Sequence, residues 1–155
     1  MRIGHIHIKV RNLVRAEQFY RELLGAHVTE RLGNQFSFLS MGTAHHEIAL
    51  QAIGDDGIAP TADMVGLYHS AFEVAGPEEL LAAILRLETL GAPFSLVDHG
   101  ISWAVYSADP DENGVEIYLD RRGAAGGKSV WAGSSWKLRR EEIEAARGMY
   151  FRGEK

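Results

Sequence analysis

The chain contains no cysteine. That removes disulfide staples and thiolate ligands, so any metal must be held by histidine nitrogen and carboxylate oxygen. No apolar run is long enough to cross a bilayer. The N-terminus lacks the charged-then-apolar pattern of a signal peptide. A cytoplasmic protein without a membrane partner is therefore expected. A basic excess is missing too: sixteen basic side chains face 21 acidic ones, for a net charge of −5. Phosphate backbones need a basic face, which argues against nucleic acid. What remains is ordinary globular composition, 46% hydrophobic and 24% charged. A length of 155 residues suits a single domain, 1–155, with room for a real core.

Against that plain background the chain repeats itself. Gly4-His5-Ile6-His7-Ile8-Lys9-Val10 is followed by a helical stretch ending in Leu24-Gly25. Tyr68-His69-Ser70-Ala71-Phe72-Glu73-Val74 is followed by another ending in Leu90-Gly91. Each half then carries an acid in an apolar strand, Glu47-Ile48-Ala49-Leu50 and Glu116-Ile117-Tyr118-Leu119. Superposing the halves pairs His5 with His69 and Glu47 with Glu116. Internal repeats govern the whole architecture and are sought first.

The local patterns give each half the order β-α-β-β-β. Ile3 to Val10 alternates and is β-branched, as a strand requires. Asn12 is the N-cap of a helix over Leu13 to Leu24, with Ala16, Phe19, Tyr20, Leu23 and Leu24 at helical spacing. Gly25 fits a left-handed stop. Strands follow at His27 to Leu32, Gln35 to Ser40 and His45 to Ala52. The first unit spans 1–53, and an aperiodic linker covers 54–66. The second unit, 67–120, opens with a strand over Leu67 to Val74. Gly76-Pro77 starts a helix with a buried stripe of Leu80, Leu81, Ile84, Leu85 and Leu87, stopped by Gly91. Strands at Phe94 to Val97, Ser102 to Ala108 and Val115 to Leu119 complete it, with a turn from Asp109 to Gly114. The tail, 121–155, breaks the repeat. It is loose over Gly123 to Gly127, short and apolar from Val130 to Trp136, and helical from Arg139 to Phe151. Trp131 and Trp136 are costly to leave in water, so the tail should dock on the body or on a neighbouring subunit.

Alternation places Glu116, Tyr118 and Asp120 on the strand face opposite Val115, Ile117 and Leu119. The apolar face should pack on a helix, leaving Glu116 to look into whatever the sheets enclose. A lone strand histidine is most often a satisfied structural residue. The repeat alters that weighting: two histidines at equivalent points plus one glutamate match the two-His, one-carboxylate set of non-haem Fe(II) oxygenases. The candidate metal ligands are His5, His69 and Glu116. His7 competes with His5, and superposition favours His5 because Ala71 stands opposite His7.

At this point the chain resembles the vicinal oxygen chelate superfamily over roughly residues 1–122. The paired units, the strand-borne His5 and His69, and Asn113-Gly114-Val115-Glu116-Ile117-Tyr118 carry the likeness. Three further segments are similar to the single-domain extradiol catechol dioxygenases in particular. They are His45-His46-Glu47-Ile48-Ala49-Leu50, Asp98-His99-Gly100-Ile101-Ser102, and Tyr106 ahead of Asp109-Pro110-Asp111. The resemblance implies an α+β fold in which two βαβββ units form a curled mixed sheet around a metal cavity, with a C-terminal helical tail added. It implies Fe(II), with Mn(II) as the other candidate, and an aromatic diol and O2 as substrates. The metal gathers both reactants, and a carbon–carbon bond beside the diol opens to a muconic semialdehyde-type product. It implies His46 as the acid–base group, with Tyr106 and His99 as hydrogen-bond donors to developing negative oxygens.

Glu47 leaves an alternative open. In glyoxalase I-like members the first unit also supplies a glutamate, and Glu47 matches it through the repeat. Four ligands would nearly saturate the metal and suit an isomerase or lyase using Ni or Zn. Successive strand side chains oppose each other, so His46 and Glu47 face the same cavity only across a bulge. A non-catalytic small-molecule binder of the same superfamily is the third reading. Trp103, Tyr118 and His7 are further cavity candidates. Single-domain members suggest a homodimer or a higher homo-oligomer, in keeping with the general preference for two-fold assemblies.

Overall fold

The structure, a computed structural model, describes residues 3–61 and 63–148. Its contacts divide the chain into two units, 1–68 with 108–113, and 69–107 with 114–155. The turn between the last two strands of the repeat thus groups with the first unit.

The first unit runs β1 (Ile6–Val10), α1 (Leu13–Leu24), β2 (His27–Leu32), β3 (Phe36–Ser40) and β4 (Ile48–Ala52). The sheet order is β1-β4-β3-β2, with β1 parallel to β4 and the other pairs antiparallel. A shift in register between Val28 and Glu30 marks a bulge. The helix begins as its sequence requires: Asn12 is extended and its side chain accepts the Arg15 N–H at 3.1 Å. It ends at Gly25, whose φ of 69° is the left-handed cap expected of glycine. Ala16, Phe19, Tyr20 and Leu23 are buried, and α1 packs on β3 and β4. Glu17 is buried too, and it is held by an ion pair to Arg31.

The turn 108–113 is a polar knot on this unit. Asp109 Oδ1 accepts the N–H groups of Asp111 and Asn113 at 2.8 and 2.9 Å. Its Oδ2 accepts from the Asn113 amide and the buried Tyr20 hydroxyl at 2.9 and 3.1 Å. Asp111 accepts from the Arg11 N–H and pairs with the Arg11 and Arg15 guanidinium groups. Glu112 sits at φ 69°, an uncommon conformation for a non-glycine residue, which these bonds hold in place. Burial pushes the Asp109 carboxyl up, against the hydrogen bonds from Asn113 and Asp111 that pull it down. Burial, with Asp109 alongside, also raises the Tyr20 phenol.

The second unit repeats the order: β5 (Ser70–Val74), α2 (Pro77–Leu90), β6 (Ser95–Asp98), β7 (Ser102–Ala108) and β8 (Gly114–Asp120). Here β5 is parallel to β8 and β6 is antiparallel to β7. Gly76 and Pro77 open α2, and Gly91 closes it at φ 65°. Helix α2 covers the apolar side of β8, where Val115, Ile117 and Leu119 are buried. Leu80, Leu81, Ile84 and Leu87 form its buried stripe, but Leu85, expected among them, is 53% exposed. Its angular position adjoins the stripe without reaching the sheet.

The tail completes this unit. Strand β9 (Trp136–Lys137) adds antiparallel to β6, making the sheet order β5-β8-β7-β6-β9. Helix α3 (Arg140–Ala145) packs on α2, with Arg140 paired to Glu88. It is shorter than the helix expected from Arg139, and Phe151 lies outside the described residues. Leu138 and Ile143 anchor the tail, at 2% and 0% exposed. The tail thus docks on its own unit as expected, while Trp131 and Trp136 stay about half exposed. Lys128 lies over the Trp136 ring at 4.2 Å.

Candidate metal centre

Both candidate histidines stand just ahead of a strand rather than within one. His5 immediately precedes β1 and His69 immediately precedes β5, a correction to the strand positions expected for them. The equivalence of the two survives, because each is the residue before its unit's first strand.

The register overturns the other pairing. Ile6 stands beside Ile48, and Ser70 stands beside Val115. With His5 equated to His69, Val115 therefore corresponds to Ile48, and Glu116 corresponds to Ala49 rather than to Glu47. In the first unit His7 is opposite Ala49, and in the second Ala71 is opposite Glu116. Each unit sets one large polar side chain against one methyl, but from opposite strands of the pair. Sequence superposition missed this by two residues because Glu47 and Glu116 look alike ahead of similar apolar runs.

In the second unit Ala71 leaves room beside Glu116, and His69 lies two residues before Ala71. His69 Nε2 comes within 2.9 Å of Glu116 Oε2. Glu116 is buried at 8% exposure, and the His69 side chain is partly covered. The Tyr106 ring lies 5.5 Å from the His69 ring, centroid to centroid. Tyr106 Oη is 2.9 Å from His99 Nε2, and His99 Nδ1 is 2.7 Å from Ser135 Oγ. Glu116, His69, Tyr106, His99 and the tail's Ser135 thus form one continuous line of contacts. Ser135 was invisible to sequence reasoning, since only the pairing of β9 with β6 brings the tail beside His99.

In the first unit the His5 and His46 rings lie 4.5 Å apart. Phe38 lies 5.0 Å from His46, and the Nδ1 atoms of His45 and His46 are 2.7 Å apart. His45 in turn reaches Glu30 at 3.1 Å. Desolvation first, then the neighbouring His5 and His45, pulls the His46 imidazole below its ordinary value. His46 and Glu47 both precede β4, although Glu47 already joins its ladder, its N–H donating to the Leu39 carbonyl and its carbonyl accepting the Ile6 N–H, each at 3.0 Å. Glu47 Oε2 accepts the Met41 N–H at 2.9 Å, closing the loop between β3 and β4.

The remaining cavity candidates have the following neighbours. Trp103 is buried with the Arg121 guanidinium 3.8 Å above its ring. The Tyr118 hydroxyl donates to Glu73 at 3.1 Å. His7 is exposed and meets Phe36 edge-on at 6.2 Å. A concave surface of the first unit runs along Arg11, Glu17, Arg31 and Gln35. Its arginines are already paired, and it contains none of the candidate residues.

Imidazole nitrogen beside carboxylate oxygen is a donor set that suits a divalent transition metal. His69 and Glu116 converge closely enough for one cation to take both. Within either unit by itself, the described residues assemble no group of three or more His, Asp or Glu able to hold a metal ion. A cation on this pair needs a further donor.

A chain built from two βαβββ units, each headed by a histidine, defines a recognisable class of α+β protein. It belongs to the glyoxalase/bleomycin resistance protein/dioxygenase superfamily, whose family model matches residues 2–117. It is 33% identical over 119 residues to a catechol-2,3-dioxygenase of Bacillus subtilis, covering 77% of this chain and 41% of that protein. It is likewise 33% identical over 121 residues to biphenyl-2,3-diol 1,2-dioxygenase 3 of Rhodococcus globerulus, covering 77% and 63%. The chain thus spans between two-fifths and two-thirds of the length of these relatives. Among solved structures, a glyoxylase/bleomycin resistance protein/dioxygenase domain from Frankia sp. EAN1pec shares the fold, with a TM-score of 0.67. That match has 24% identity and covers 78% of this chain and 98% of the other. Among the described residues no helix is long and apolar enough to cross a membrane.

Proposed function

We propose that the protein is an extradiol dioxygenase, which opens an aromatic diol beside its two hydroxyls and places both atoms of O2 in the product. The observation that carries this reading is the line Glu116–His69–Tyr106–His99, which joins two metal-type donors to two hydrogen-bonding groups. The two relatives named as diol dioxygenases support it.

In this reading His5, His69 and Glu116 hold Fe(II), with Mn(II) as the other candidate. His5 is chosen because it heads β1 as His69 heads β5. Three ligands leave coordination room for substrate, as the two-His, one-carboxylate set does elsewhere. When bound, the metal supplies the redox centre through which electrons of the diol reach O2. His46, whose imidazole is pulled toward its neutral form, takes a proton from a diol hydroxyl and returns it to an oxygen atom of O2 as the aromatic ring opens, both atoms of O2 staying in the product. Tyr106 donates a hydrogen bond to the oxygen that gains negative charge, and His99 supports Tyr106 from behind. Glu47 is not a ligand here, because its carboxylate closes a loop and lies off the position of Glu116 in the repeat. A homodimer and a cytoplasmic location go with this reading.

The test is direct. Protein loaded anaerobically with Fe(II) and mixed with catechol in air should turn yellow, with one O2 consumed per diol. A chelator should abolish both. If iron-replete protein consumed no oxygen with catechol or biphenyl-2,3-diol, the reading would fall.

A further inference from the structure

The tail reaches the proposed site through sheet pairing. Strand β9 sets Lys137 beside Val97 and Trp136 beside Asp98, antiparallel. The next step in that register brings Ser135 opposite His99. Their side chains meet at 2.7 Å, Oγ to Nδ1. Leu138 and Ile143, both buried, fix the tail just beyond this point, and the Leu138 N–H donates to the Leu96 carbonyl at 3.3 Å. The Lys128 N–H donates to the Gly100 carbonyl at 2.9 Å on the other side. Trp131 adds an edge-on contact to the His99 ring at 6.2 Å. The serine is therefore held in place from both sides.

A neutral imidazole donates from one nitrogen and accepts at the other. His99 has hydroxyl partners on both nitrogens, Ser135 on Nδ1 and Tyr106 on Nε2. If Nδ1 carried the proton, Nε2 would accept the Tyr106 proton, leaving none on that hydroxyl to donate. If Nε2 carries it, Tyr106 receives a hydrogen bond and keeps its own proton. Receiving a bond also polarises the Tyr106 O–H and makes it a better donor.

We propose that Ser135 is a positioning residue: by donating to His99 Nδ1 it holds His99 in the Nε2–H form, so that Tyr106 presents its proton to the substrate oxygen. This deepens the ring-cleavage reading and rests on it for the role of Tyr106. The segment carrying Ser135 lies outside the duplicated unit, so the repeat itself does not supply this control.

The experiment uses the full chain without metal. Long-range 1H–15N correlation spectra of protein labelled with 15N-histidine report the tautomer of each ring, and a His99→Gln variant assigns the His99 signals. Wild type should show His99 as Nε2–H. Ser135→Ala should convert it to a mixture, and Ser135→Thr should restore the wild-type pattern. Ser135 is exposed, so alanine there leaves the core intact. In iron-loaded protein, Ser135→Ala should lower kcat roughly tenfold with KM little changed, and threonine should rescue it. An Nδ1–H form in wild type, or His99 signals unmoved by Ser135→Ala, would overturn the proposal regardless of activity. Wild type with the expected spectra but no oxygen uptake would sink the ring-cleavage reading instead.

Discussion

His69 Nε2 stands 2.9 Å from Glu116 Oε2, one at the head of the second unit's first strand and the other inside its last. The parallel pairing of β5 and β8 makes them neighbours, and the small side chain of Ala71, opposite Glu116, leaves them the space. Each is a metal-type donor, and the first predictions concern them.

Glu116→Ala and His69→Ala should each lose most of the bound iron, roughly tenfold or more in affinity. Metal content after anaerobic loading and desalting measures this. Glu47→Gln should retain wild-type iron, because that carboxylate is engaged by the Met41 N–H. Full iron occupancy in Glu116→Ala would show that the ligand set is wrong.

His46→Ala and Tyr106→Phe should keep their iron but turn over more slowly. A loss of about 10²- to 10⁴-fold is expected for His46 if it moves protons. Tyr106→Phe, which removes one hydrogen bond to a charged oxygen, should lose about 10²-fold. Single-turnover kinetics on iron-replete variants separate this from loss of metal.

Asp109→Ala should destabilise the fold by about 2–4 kcal/mol, since it strands the buried Tyr20 hydroxyl and two turn N–H groups. Asp109→Asn should cost less. Burial raises the native Asp109 carboxyl, so its ionisation works against the folded state. Relative to Asp109→Asn, wild type should be favoured most below the ordinary aspartate value. That advantage should shrink as pH rises through the raised native value, then stay level. Urea melts of both proteins across this range give the difference.

Ser37 offers a stabilising change. It is fully buried on β3, and among the described residues its hydroxyl has no hydrogen-bond partner. Ser37→Ala should be neutral or stabilising by up to about 1 kcal/mol, because a desolvated hydroxyl is replaced by a methyl. By contrast Ile143→Ala should cost about 2–4 kcal/mol through the cavity it leaves beneath α3. Thermal melts distinguish the two signs.

Much of this is legible in the amino-acid sequence alone. Asn12, Gly25, Pro77 and Gly91 punctuate both helices as their backbone chemistry dictates. The alternation around Glu116 correctly turned Val115, Ile117 and Leu119 toward a helix. Leu85 departs from the periodic expectation because a helical stripe has an edge, and periodicity alone does not say where the sheet stops. Glu47 was matched to Glu116 because the eye aligns like residues, whereas pairing aligns hydrogen-bonded backbones.

The sequence by itself determined the duplication and the order of elements, since these follow from short-range periodicity and local stops, while the likeness to the family rests on particular motifs. Only the tertiary structure decided that Ala49 is the counterpart of Glu116, that His99 bridges Tyr106 and Ser135, and that the tail is a fifth strand. Strand register and long-range pairing come from which backbones meet, and a linear pattern of side chains leaves that free.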